Sequence, residues 1–136
     1  MLTHIVIAVS ADAERDFDAA LASALSSGTT RVFALFTGAP MENGDSWCKD
    51  CVECKPMVKA MFAEAGVIRD TTLIEIPLAR DGYKGNAQNW ARVHAGVKLT
   101  AVPTIMRWGK VKKLAECIDS ECKDAGKVRE LVVDDE

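Results

Sequence analysis

Cys48 and Cys51 stand three positions apart in the run Ser46-Trp47-Cys48-Lys49-Asp50-Cys51. On a helix, side chains at that spacing lie roughly 5–6 Å apart, within reach of a disulfide. If a helix starts here, the first thiol lies exposed at the orphan N–H groups and the positive end of the dipole. Both favour a thiolate. Lys49 adds a cation in the same sense. Cys51, one turn on and on the apolar side, is expected to be less exposed and less acidic. That asymmetry divides the work of thiol–disulfide exchange: Cys48 attacks a disulfide, a mixed disulfide forms, and Cys51 resolves it. Cys54 continues the spacing and opens a second chemistry, a metal or iron–sulfur binding module using Cys48, Cys51 and Cys54.

Such a pair needs a strand to deliver it and a helix to carry it. The β-branched run 5–9 predicts a buried strand. Ser10 or Asp12 then caps a helix with Phe17, Ala20, Leu21, Ala24 and Leu25 at helical spacing, stopped by Gly28. Residues 31–36 form a second strand with little alternation, as in a sheet covered on both faces. The loop 37–45 carries two glycines, a proline and an asparagine. It leads to a helix over 48–65, with Cys51, Cys54, Val58, Met61, Phe62 and Ala65 on one face, a kink at Pro56 and an end at Gly66. A strand over 71–76, a flexible connection over 79–86 and a short helix over 89–95 follow. Strands 103–108 and 111–118 meet in a hairpin at Gly109-Lys110, and Asp119 or Ser120 caps a terminal helix ending in the acidic tail Asp134-Asp135-Glu136. This order predicts an α/β fold, a central mixed sheet with helices on both faces.

The 136 residues suit one domain, 1–136, able to bury a core without disulfides or metal. A formal charge of -3 and a pI near 5.4 argue against nucleic-acid binding and against an anionic membrane surface. The apolar run 5–9 is too short to span a bilayer and lacks the flanks of a signal peptide. Five cysteines without a secretory signal predict a reducing compartment and a cytoplasmic location.

The metal reading meets two obstacles. A structural zinc site needs a second close pair, and Cys117 and Cys122 stand five apart. A ferredoxin run needs a cysteine four positions after Cys54, where Val58 stands. Cys54 therefore reads as a packed core thiol, with a disulfide to Cys51 on overoxidation as its functional alternative. A third class is a redox-regulated interaction module whose thiols switch a partner. Cys117 and Cys122 read as structural or surface thiols. His4 and His94 lack a partner set, and Trp90 and Trp108 suit packing. Trp47 gives Cys48 an apolar flank, while Tyr83 suits either the approach to the site or a plain surface role.

Longer segments carry a resemblance. Phe36-Thr37-Gly38 is followed, after eight residues, by Trp47-Cys48-Lys49-Asp50-Cys51-Val52; Pro56 stands five residues past the second cysteine; Lys98-Leu99-Thr100-Ala101-Val102-Pro103-Thr104 precedes the Gly109 hairpin. On these segments, spread over nearly the whole chain, the sequence resembles the thioredoxin superfamily, most closely its Clot type. The resemblance implies a thioredoxin-like fold, Cys48 as nucleophile, Cys51 as resolving thiol and Pro103 as a cis-proline opposite them. It brings the Val102 backbone beside Cys48, where a substrate strand can pair, with Trp47, Lys49 and Tyr83 around the approach. Without the cysteines, Pro103 would simply start a strand. Also implied are a monomer with no bound cofactor and reduction by an NADPH-dependent thioredoxin reductase. The implied substrates are disulfides, both small ones such as cystine and selected proteins. Two departures stand out: Lys49 replaces a usual proline, and residues 32–36 contain no buried acid. Asp50 or water is then left to take the Cys51 proton, although Asp50 equally suits a first-turn acid that stabilises the helix.

Overall fold

A computed structural model of the chain describes residues 1–28 and 31–134. Five strands lie in the order β1-β3-β2-β4-β5. They are β1 (Leu2–Val6), β2 (Arg31–Gly38), β3 (Thr71–Leu78), β4 (Thr104–Trp108) and β5 (Lys113–Ile118). β3 runs parallel to both β1 and β2, while β4 is antiparallel to β2 and to β5, so the sheet is mixed as expected. β2, in the middle, is buried along nearly its whole length, which explains its missing alternation.

The first strand lies earlier than the apolar run 5–9 suggested. Ile7 still donates its N–H to the Glu75 carbonyl at 2.9 Å. In a parallel ladder the next donor on that side of β3 is residue 77, which is proline and has no N–H. The pairing therefore ends, and Val9 is half exposed.

Helix α1 (Ala13–Ser26) buries Ala13, Phe17, Leu21 and Ala24. Helix α2 (Lys49–Ile68) carries Pro56 inside it and runs past the expected end at Gly66. Gly66 serves contact instead of termination: a Cβ there would lie 2.7 Å from the Leu2 Cβ and 2.9 Å from the Leu2 nitrogen. The connection 79–86 contains a short helix, α3 (Arg80–Tyr83), and α4 (Trp90–Val93) follows, with the Asn89 side chain accepting from the Ala91 N–H. The β4–β5 hairpin leaves residues 109–112 between the strands, where the expected turn had two, and inside it the Gly109 N–H donates to the Lys112 carbonyl at 2.9 Å.

The C-terminal segment is not one helix. A 3-10 helix (Asp119–Lys123) precedes α5 (Ala125–Arg129), which runs on into a π-helical turn (Glu130–Asp134). Asp119, a proposed cap, is instead held at φ 55 with its N–H on the Pro103 carbonyl, 2.7 Å away. The cap of α5 is Asp124, which accepts from the Lys127 N–H. Asp135 and Glu136, the end of the acidic tail, lie outside the described residues.

Two core clusters flank the sheet. One joins α1 and the α3–α4 region through Phe17, Phe36, Trp90 and Trp108, with Phe17 5.8 Å from Trp90 and 6.4 Å from Trp108. The other joins α2 and α5 through Phe33, Phe62, Ile105, Val128 and Val132. Helices thus cover both faces. No helix among the described residues is long and apolar enough to cross a membrane.

Candidate active site

Cys48 is the N-cap of α2, with extended backbone, and its sulfur accepts the Cys51 N–H at 3.2 Å. Two features of the preceding loop place it there. The Ser46 hydroxyl donates to the Gly38 carbonyl at 2.7 Å and accepts the Cys48 N–H at 3.0 Å. Gly38, the last residue of β2, leaves no room for a side chain: a Cβ would lie 2.7 Å from Ser46 Oγ, 2.8 Å from a Trp47 ring atom and 2.9 Å from the Cys48 Cβ. Neither Ser46 nor Gly38 stood out in the sequence as a site residue. A serine two positions before a helix-starting cysteine, after a strand-ending glycine, was the available signal.

The dithiol is less open than a helix-terminal pair suggested. Cys48 is only 7% exposed and Cys51 5%. Cover comes from the opposite loop, where the Val102–Pro103 bond is cis and the Val102 carbonyl lies 3.7 Å from the Cys48 sulfur. Burial pushes the Cys51 thiol well above its ordinary value, and its hydrogen bond to Cys48 acts the same way. The Gly38 N–H, 3.5 Å from the Cys51 sulfur, opposes that shift. This backbone donor reaches the Cys51 thiol in a chain whose central strand carries no acid.

The other expected residues divide. Trp47 packs 6.1 Å from the Tyr83 ring and donates its indole N–H to the Leu78 carbonyl at 2.7 Å. Tyr83 is a buried residue of α3, with the Arg92 guanidinium 3.8 Å from its ring centre. A plain surface role for Tyr83 is therefore excluded. Lys49 extends into solvent and pairs with Glu53 at 3.9 Å. Asp50 directs its carboxylate to Lys123, 3.0 Å away, and the hydrogen bond from that ammonium holds the carboxyl below its usual range.

Cys54 belongs to the opposite core cluster from Cys48 and Cys51. Its thiol donates to the Cys51 carbonyl at 3.7 Å, and burial pushes it up to about 11. Cys117, also buried, is pushed up to about 11, and Cys122 is raised further by the same cause. A surface reading of Cys117 and Cys122 does not hold.

Three cysteines split between two cores do not make a metal cup. Among the described residues, the one trio whose ligating atoms all lie within 4.8 Å is Glu14, Asp18 and His94. His94 does have partners: Nδ1 accepts the Gly96 and Val97 N–H groups at 3.1 and 3.2 Å, while Nε2 faces Asp18 at 2.8 Å. With Nδ1 committed as acceptor, neutral His94 carries its proton on Nε2 and offers a cation no lone pair. His4 pairs with Glu75 at 2.8 Å.

The chain matches the family described as thioredoxin domain-containing protein 17-like, thioredoxin domain, over residues 10–133. Thioredoxin domain-containing protein 17 of Danio rerio is 35% identical over 104 residues, 76% of this chain and 79% of that protein. The thioredoxin-like protein Clot of Arabidopsis thaliana is 35% identical over 71 residues, 48% of this chain and 47% of that one. In fold, the chain is similar to oxidised thioredoxin O2 of Arabidopsis thaliana, with a TM-score of 0.60, 21% identity and coverage of 96% of this chain and 94% of that one.

Proposed function

The chain belongs to the thioredoxin domain-containing protein 17-like family, and from that membership we propose a disulfide reductase that works through Cys48 and Cys51. A thioredoxin-type redox role follows from the family; the particular dithiol, its substrates and its electron donor are this reading's own. One observation carries it most: the Cys48 sulfur sits at the N-cap of α2, 3.2 Å from the Cys51 N–H, facing the Val102 carbonyl.

In the cycle, the Cys48 thiolate attacks one sulfur of a substrate disulfide. The substrate S–S bond breaks, and a mixed disulfide with Cys48 forms as the first thiolate departs. The buried Cys51 thiol then gives up its proton, and its thiolate attacks the Cys48 sulfur. The second substrate thiolate leaves, and both leaving groups take up protons as thiols. Two electrons have passed from the dithiol to the substrate, leaving a Cys48–Cys51 disulfide. The Gly38 N–H supports the negative charge on Cys51 while it attacks. Water takes the Cys51 proton in preference to Asp50, whose carboxylate is engaged by Lys123 and is a weakened base. Val102 offers a backbone edge beside Cys48 for an extended substrate, between Trp47 and the Pro103 loop.

The cycle needs no bound cofactor. A thioredoxin reductase drawing on NADPH returns the two electrons, and small disulfides such as cystine and selected protein disulfides are the proposed substrates. A monomer in the cytoplasm suits these partners. The test is NADPH consumption with thioredoxin reductase and cystine, using wild type, Cys48→Ser and Cys51→Ser. Turnover is expected only in wild type, with a trapped mixed disulfide in Cys51→Ser alone. Turnover surviving in Cys48→Ser would refute the assignment, and stoichiometric iron or zinc in anaerobically purified protein would favour the metal reading.

A further inference from the structure

The 3-10 helix Asp119–Lys123 touches both halves of the site. At one end, the Asp119 N–H donates to the Pro103 carbonyl at 2.7 Å. At the other, Lys123 Nζ lies 3.0 Å from Asp50 Oδ1 and 3.4 Å from Glu53 Oε2. Asp50 stands between the two cysteines, and Glu53 is shared with Lys49 at 3.9 Å. Asp50 in the first turn of α2 and Glu53 just beyond it thus place two carboxylates near the helix start, where a thiolate is to be stabilised. Like charge there works against the thiolate.

We propose that Lys123 is a positioning residue that sets the redox balance of the Cys48–Cys51 pair by holding and neutralising the Asp50 carboxylate. The inference rests on the dithiol reading above. The chemistry is differential. The thiolate that attacks belongs to the reduced form alone, whereas the disulfide carries no charge. A cation that offsets Asp50 therefore stabilises the reduced form and makes the disulfide more oxidising. Asp50 is itself perturbed, held below its usual range first by the Lys123 hydrogen bond. Both groups also act on the neighbouring thiol of Cys54, Asp50 raising it and Lys123 lowering it. The pair is partly exposed, at 38% and 39%, so solvent screens it and the effect is modest.

The experiment equilibrates the full chain with glutathione redox buffers and measures the Cys48–Cys51 disulfide fraction by alkylation and mass spectrometry. Wild type, Lys123→Gln, Lys123→Arg, Asp50→Asn and the Asp50→Asn/Lys123→Gln double variant are compared. Lys123→Gln is expected to make the disulfide about fourfold less oxidising, about 18 mV for a two-electron couple. Lys123→Arg restores most of the loss, and in the Asp50→Asn background the Lys123→Gln effect falls below about twofold. An unchanged equilibrium in Lys123→Gln, or the same fourfold change with Asp50 absent, overturns the inference while leaving the dithiol reading intact. A wild type that forms no Cys48–Cys51 disulfide overturns the dithiol reading itself, and this inference with it.

Discussion

The Tyr83 hydroxyl is buried in the core cluster that holds Cys48 and Cys51, and among the described residues it has no hydrogen-bond partner. A buried orphan hydroxyl costs about 1–3 kcal/mol relative to one that is paired or absent. The ring has its own reasons to be there, packed against Trp47 and under the Arg92 guanidinium. Tyr83→Phe keeps the ring and removes the orphan, so unfolding by urea should show a gain of about 1 kcal/mol. A loss of that size would mean the hydroxyl has a partner in solution. At this scale the sequence was informative where chemistry sits in a short run. Cys48 and Cys51 could be picked from neighbours along the chain, whereas the Val102–Pro103 segment was picked through the resemblance. Ser46 and Gly38 left only a faint local signal, and Lys123 left none, because its partner comes from elsewhere; Lys123 and Asp50 are 73 residues apart. An acid in the first turn is common on any helix, so Asp50 alone gave no hint of which cation would meet it.

Element boundaries show a similar division between local and distant causes. The order of strands and helices followed from periodicity, because burial on both faces leaves unbroken apolar runs and amphipathic helices leave stripes. The ends did not follow. β1 stops where Pro77 of a neighbouring strand cannot donate, and α2 continues through a glycine that read as a stop. Gly66 decides a contest that can be measured. Alanine there would gain about 1 kcal/mol in helix propensity. Its Cβ would also meet the Leu2 nitrogen at 2.9 Å and Cα at 3.1 Å. Backbone of a paired strand cannot rotate aside, so overpacking should win and Gly66→Ala should lose about 1–3 kcal/mol in urea unfolding. A more stable variant would show that β1 shifts freely on the helix. The C-terminal segment was misread for the same reason: the chain must first bring Asp119 under Pro103 before it can coil.

For the whole molecule, α2 and the C-terminal segment meet along a seam of ion pairs. Lys123 meets Asp50, and Arg129 grips both oxygens of Glu64 at 2.7 Å. Glu121 braces the segment internally, accepting the Ile118 N–H at 2.9 Å and facing Lys127. All three carboxyls are held below their ordinary values: Asp50 and Glu64 first by hydrogen bonds from Lys123 and Arg129, Glu121 first by the Ile118 N–H. A carboxyl whose folded pKa is depressed leaves the unfolded chain binding more protons. Its contribution is complete above the ordinary values of 3.8 for Asp and 4.5 for Glu, and is lost as pH falls through the depressed folded values. The far end of the segment does not depend on these groups. Arg31 donates to the Leu131 carbonyl at 2.8 Å and Arg69 to that of Val133 at 3.1 Å. Acidification from about pH 6 to about pH 3 should therefore loosen residues 119–129 before the central strands. Hydrogen exchange, corrected for intrinsic rates, should show protection falling there first, with β2 and β3 retaining theirs. Arg129→Met removes the Glu64 pair, so its loss of protection between those pH values should be smaller than in wild type. Protection falling uniformly across the sheet and this segment would mean that acid acts on the global fold and that the seam has no separate role.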